Sequence, residues 1–372
     1  MKQRGLHLFI IAIILTLAEG SAFAFNLPVI TKLPSKPTVT ASTIPANGDL
    51  NPYGVAFVPD EFPEWGVLAA GDLLVSNFND KSNTQGTGTT IVQIAPDGAQ
   101  SLFFEGKAGL GLTTALGVLK AGVVLVGNVP SPKGACSGVT EKGVGQGSLL
   151  VLDRNGDLVK TLTSKAFLDG PWYLTINDNG STAQVFVSDV LSGTVTRIDL
   201  QVVSEGSGKD SVDVLKETQI ASGYNHQCNS AALVVGPTGL AYDKSKDILY
   251  VASTGDNKIF AVANAGKTTK DLGTGTVIVS DTTHLHGPLG LLLAPNGDLI
   301  SSQGDAVNED SNHVNEIVEF TSKGKFVAQV PIEPKGAGPG AAFGIALSTS
   351  ENGVILAAVD DIANAVDVWL VQ

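Results

Sequence analysis

The feature that most constrains this chain is a repeat. Residues 236–266, GPTGLAYDKSKDILYVASTGDNKIFAVANAG, open with a Gly-Pro-x-Gly turn and run into a short apolar strand at Leu240-Ala241. The chain turns at Asp243-Lys244-Ser245-Lys246-Asp247, forms a second strand over 248–252, turns at Thr254-Gly255-Asp256-Asn257 and forms a third over 258–262. Turn residues at each corner and short apolar runs between them specify a β-meander. A sheet this small cannot bury its faces alone, so it needs neighbours.

The neighbours are further copies. Tyr53-Gly54-Val55 pairs with Leu74-Val75-Ser76-Asn77, Leu116-Gly117-Val118 with Val124-Leu125-Val126-Gly127-Asn128, and Trp172-Tyr173-Leu174 with Val185-Phe186-Val187-Ser188-Asp189. After the template come Pro288-Leu289-Gly290 with Leu299-Ile300-Ser301-Ser302-Gln303, and Phe343-Gly344-Ile345 with Ala357-Ala358-Val359-Asp360. Six short all-β units repeating every ~50–65 residues predict an all-β, six-bladed β-propeller over residues 51–372. Forty-three glycines and no sustained helical period agree with a turn-rich chain.

Residues 1–24 read as a signal peptide: Lys2 and Arg4, an apolar run over 8–17, and Ala22-Phe23-Ala24 as a cleavage site. The run is shorter than the ~20 residues that a membrane span needs, although an uncleaved anchor is the alternative. The expectation is a periplasmic or secreted protein without a membrane partner once the signal is cleaved. Cleavage would remove two cations and one anion, taking the net charge from −13 to −14. Such an acidic chain is not built for nucleic acid. Residues 25–50 form a Pro- and Thr-rich leader. Because the last copy supplies only three strands, a leader strand around 29–33 is expected to complete the last blade and close the ring.

In a meander successive turns alternate between the two rims. The loop after each second strand and the approach to each first strand therefore share one rim, and that rim holds Cys136, Cys228, His226, His284, His286 and His313, every histidine after His7. Export favours oxidation, so Cys136 and Cys228 are expected to pair, with two free buried thiols as the alternative.

The GPxG-strand-turn-strand unit resembles the NHL repeat and the related six-bladed propellers of the gluconolactonase and strictosidine-synthase kind. The resemblance implies a propeller fold; the superfamily includes hydrolases, lyases and interaction scaffolds. Sugar lactonases of this kind hold a divalent cation with Glu, Asn and Asp at the entrances of first strands. The matching positions here read Tyr53, Leu116, Trp172, Thr238, Leu289 and Phe343, a mostly apolar collar without that cage. Either these side chains fill the axis or they form an apolar funnel for a ligand. A second, polar ring ends the second strands: Asn77, Asn128, Asp189, Ser253, Gln303 and Asp360. It suits Ca²⁺ or sugar hydroxyls, or simply caps turns.

His284 and His286 share a strand face by their i, i+2 spacing and with His226 offer three zinc ligands; Asp305 and Glu309 are candidate general bases beside them. Solvent-facing or turn histidines are the plain alternative. Phosphate-loop, G-x-S-x-G and H-E-x-x-H patterns are absent from the sequence. Two readings follow: a binding or scaffold propeller whose loop-rich rim holds a small molecule, glycan or protein, or a metal-assisted hydrolase or lyase with its site over the axis.

Overall fold

The structure is a computed structural model that describes residues 27–137, 142–204, 210–303, 308, 310–314, 316–332, 340–350 and 352–372. The signal peptide expected over 1–24 lies outside the described residues, as do Asp305 and Glu309.

Six four-stranded antiparallel sheets form the blades. Blade 1 comprises Leu50–Phe57, Leu73–Asn79, Thr90–Ile94 and Gln100–Glu105; blade 2 comprises Leu112–Leu119, Val123–Asn128, Ser148–Leu152 and Leu158–Leu162. Blade 3 is Pro171–Asp178, Thr182–Asp189, Thr194–Ser204 and Asp210–Ser222, and blade 4 is Pro237–Asp243, Ile248–Ser253, Lys258–Ala263 and Thr276–Val279. Blade 5 is Pro288–Leu293, Leu299–Gln303, Glu316–Phe320 and Phe326–Pro331. Blade 6 contributes Ala342–Ser350, Gly353–Asp360 and Ala365–Val371, and its outermost strand comes from the N-terminal segment. The three-strand unit read from the template thus gains a fourth strand. In blade 4 that strand, Thr276–Val279, is largely exposed and carries little apolar signal.

The ring closes as expected, but with a different strand. Val39–Ser42 pairs antiparallel with Ala365–Val371, Val39 opposite Val368 and Ser42 opposite Ala365. Residues 29–33 are not the closing strand; Ile30–Lys32 form a 3₁₀ turn. The reason is a buried carboxylate. Glu319 accepts the N–H of Val29 at 3.1 Å and of Ile30 at 2.9 Å, fastening the segment to blade 5, where Val29 and Ile30 pack into the core. Pro34 and Pro37 then lack the N–H groups that a ladder needs, so pairing starts only beyond them.

One apolar cluster fills each of the six interfaces between blades. This packing explains the glycine of the Pro-x-Gly motif. A Cβ on Gly344 would lie 2.2 Å from the Tyr53 carbonyl oxygen, and one on Gly239 would lie 2.5 Å from that of Leu289. Neighbouring inner strands approach too closely for any side chain there.

Candidate functional site at the mouth of the axis

Every inner strand is bulged at its start, and the register identifies equivalent positions. Pro52 pairs with Asn77, Leu112 with Asn128, Pro171 with Asp189, Pro237 with Ser253, Pro288 with Gln303 and Ala342 with Asp360. The collar is therefore the next residue in each blade: Tyr53, Thr113, Trp172, Thr238, Leu289 and Phe343. Leu116 is displaced from it because the blade 2 bulge extends from Leu112 to Leu116. Two hydroxyl staples support this alignment. Ser76 Oγ donates to the Thr113 carbonyl at 2.9 Å, and Ser302 Oγ likewise donates to the Phe343 carbonyl.

The polar ring is buried and largely committed to main chain. Asn128 accepts the Gly111 N–H at 2.9 Å, Asp189 that of Asp169 at 3.1 Å and Asp360 that of Ala363 at 3.0 Å. Gln303 accepts the His286 N–H, and Asn77 donates to the Thr43 carbonyl at 3.0 Å. These side chains sew each blade's second strand to the segments beside it. Asp189 has no exposed surface, and burial holds its carboxyl well above the usual range.

The collar side chains fill the axis. Tyr53 stacks on Phe78 with ring centroids 4.8 Å apart, and Trp172 meets both rings edge-on at 5.9 and 5.4 Å. Phe343 lies 4.8 Å from Tyr53 on the other side. Below them Tyr173 crosses the ring, its hydroxyl 3.5 Å from the Ile345 carbonyl of the opposite blade. Above them sits a hairpin, Gln227–Asn229 paired with Leu233–Val235, whose Leu233 and Val234 join the aromatic cluster. Cys136 and Cys228 form the disulfide that ties this hairpin to the blade 2 loop, and Gln85 donates to Ala231 O at 2.8 Å from blade 1. A hard divalent cation would find no carboxylate or amide in the collar, so these residues do not fit the cage that lactonases of this fold carry.

The histidines are not gathered. His284 contacts Asp281 at 2.7 Å and stacks on Phe326; His286 lies between the carbonyls of Asn308 at 2.7 Å and Thr283 at 3.1 Å; His313 contacts Gln329 and Glu316. His226 lies at the approach to blade 4, against Gly193 and Gly236. Among the described residues no three His, Cys, Asp or Glu side chains are grouped to hold a metal ion.

One residue that the sequence reading passed over completes the mouth. The positions following the polar ring are Phe78, Val129, Val190, Thr254, Gly304 and Asp361, and the first three pack in the axial cluster. Blade 6 alone puts a charge in that series. Asp361 is half-buried, and its carboxyl is raised to about 7, first by burial and then by the neighbouring charge of Asp360. It is near enough to the axis for its charge to act on Tyr53. Burial keeps the Tyr53 hydroxyl protonated, with the Trp172 ring packed edge-on against its ring. A half-buried carboxyl raised toward neutrality at an apolar mouth is a group suited to proton transfer.

The architecture defines the class: a closed six-bladed β-propeller. No protein-family model matches the chain, and no curated protein matches it in sequence. Among solved structures it is similar to a gluconolactonase of Xanthomonas campestris, with 13% identity, a TM-score of 0.52 and coverage of 93% of this chain and 99% of that one. It is also similar to the major allergen Mala s 1 of Malassezia sympodialis, with 11% identity, a TM-score of 0.54 and coverage of 89% and 95%. At these identities the likeness establishes the fold alone. Among the described residues no helix is long and apolar enough to cross a membrane.

Proposed function

We propose that this protein is an exported enzyme of the hydrolase or lyase kind, acting at the mouth of the propeller axis on a small uncharged ester or lactone. The observation that carries the reading is Asp361, a half-buried carboxyl raised to about 7 at the rim of an aromatic collar. At neutral pH both its forms are populated, as a general acid–base group requires. In hydrolysis the carboxylate takes a proton from the water that attacks the carbonyl carbon. The acid returns that proton to the alkoxide oxygen as the carbon–oxygen bond breaks. The apolar collar and the neighbouring Asp360 favour an uncharged substrate over an anion. The disulfide suits an oxidising compartment.

A gluconolactonase among the fold neighbours makes lactones the first compounds to try. The test follows proton release from δ-valerolactone, glucono-δ-lactone and p-nitrophenyl acetate between pH 5 and 9, with wild type and Asp361→Asn. The expectation is turnover that rises through an inflection near pH 7 and falls ~10²-fold or more in the variant. Turnover unchanged in Asp361→Asn, or none with any of the three, overturns the enzyme reading. A binding or scaffold propeller, using its rim to hold a small molecule, glycan or protein, is then the function that remains.

A further inference from the structure

Away from the axis, the rim between blades 4 and 5 holds a cleft of about 660 Å³. Among the described residues its lining side chains are all polar or charged. Two side chains act as its posts. Asn257 donates to the Leu285 carbonyl and accepts the Gly287 N–H, both at 2.8 Å, which joins blade 4 to the strand that opens blade 5. His286 holds the opposite wall by presenting its ring nitrogens to the Asn308 and Thr283 carbonyls. Asn257 and Asn308 both adopt left-handed backbone, with φ of 52° and 57°. Both posts are thus held by hydrogen bonds within the protein.

Six other lining groups have polar capacity for a ligand. Asp256 spends one oxygen on Ser253 Oγ and the Asn225 N–H, and Asp310 spends one on Asn312. Each carboxylate keeps its second oxygen unengaged among the described residues. The Lys258 ammonium and the hydroxyls of Ser280, Thr282 and Ser311 also line the cleft without a side-chain partner among the described residues. Asp310 stays ionised, held below the usual carboxylate range by the N–H of Asn312.

The chemistry narrows the ligand. An anion would meet two carboxylates. An apolar molecule would leave the carboxylates, the ammonium and the hydroxyls of the lining without partners. A metal ion would find two carboxylates and an imidazole whose nitrogens both face carbonyls. A neutral polyol matches, because adjacent hydroxyls can donate to a carboxylate while their oxygens accept from an ammonium and from Ser or Thr. We propose that this cleft between blades 4 and 5 is a binding site for a polyhydroxylated small molecule of one or two sugar rings, separate from the axial site and independent of its chemistry.

Saturation-transfer NMR and calorimetry with glucose, galactose, mannose, N-acetylglucosamine, cellobiose and sorbitol test this on the intact protein. At least one should bind. Lys258→Ala and Asp310→Asn should each weaken it ~10-fold or more, as the loss of a hydrogen bond to a charged group does. Because the Lys258 ammonium holds no partner among the described residues, Lys258→Ala should melt with wild type, which separates lost binding from lost fold. No signal transfer to any of the six, or unchanged affinity in both variants, overturns the assignment.

Discussion

Replacing Asp361 with Asn removes a titration whose direction is set by burial. The folded carboxyl keeps its proton up to about 7, whereas the ordinary value is 3.8. Between those values the unfolded chain has lost the proton and the folded chain retains it, so the native state binds more protons and stability falls as pH rises. From 3.8 to about 7, at roughly 1.4 kcal/mol per pH unit, the loss is up to about 4 kcal/mol, and it is complete once the folded group has ionised. Solvent on the rim side reduces this to about 2–4 kcal/mol. Asn cannot ionise, so Asp361→Asn should match wild type near pH 4 and exceed it by that amount at pH 8. Urea unfolding of both proteins at half-unit pH intervals measures the difference, and taking the difference cancels every other carboxyl. Because the charge of Asp360 contributes to the raised value, Asp360→Asn should move the midpoint of the difference curve to lower pH. A gap that does not change with pH would refute the reasoning, and with it the basis for proton transfer at Asp361.

Three further outcomes follow from the packing. Replacing both Cys136 and Cys228 with Ser opens a loop of 92 residues, which costs about 4–5 kcal/mol in the chain-entropy account, and a freed hairpin should let acrylamide quench Trp172; a loss under about 1 kcal/mol by urea unfolding would contradict this. Glu319→Ala leaves the buried N–H groups of Val29 and Ile30 unpaired and should cost about 2–4 kcal/mol, with faster proteolysis within residues 27–37; a cleavage rate equal to wild type would count against the anchoring role. Deleting 38–43 bares the edge of Ala365–Val371, so light scattering should show concentration-dependent association that wild type lacks, and a monomer that melts with wild type would mean that closure adds nothing.

Much of the architecture was legible in the chain because it rests on local chemistry. Period-two apolar runs separated by Gly, Asp and Asn turns locate the strands closely: the template strands read over 248–252 and 258–262 are observed as Ile248–Ser253 and Lys258–Ala263. The fourth strands were not legible, since a mostly exposed edge such as Thr276–Val279 needs no apolar pattern. At the site, spacing alone placed the two cysteines on one rim, and they pair. The same logic put His226, His284 and His286 on one rim, but it carries no information about distance around the ring. Asp361 had a readable signal, the lone charge in a series beginning Phe78, Val129 and Val190, but recognising it required the register between first and second strands.

The sequence by itself determined that the chain repeats, that each repeat is a small antiparallel sheet and that six must share cores, because turn chemistry and side-chain alternation act over a few residues. Only the tertiary structure decided which N-terminal segment closes the ring, which residue of each bulged strand faces the axis and which carboxyl is raised to about 7. Those outcomes depend on residues hundreds of positions apart, such as Glu319 bonded to Val29 and Val39 paired with Val368, where burial and tertiary contacts outweigh local preference.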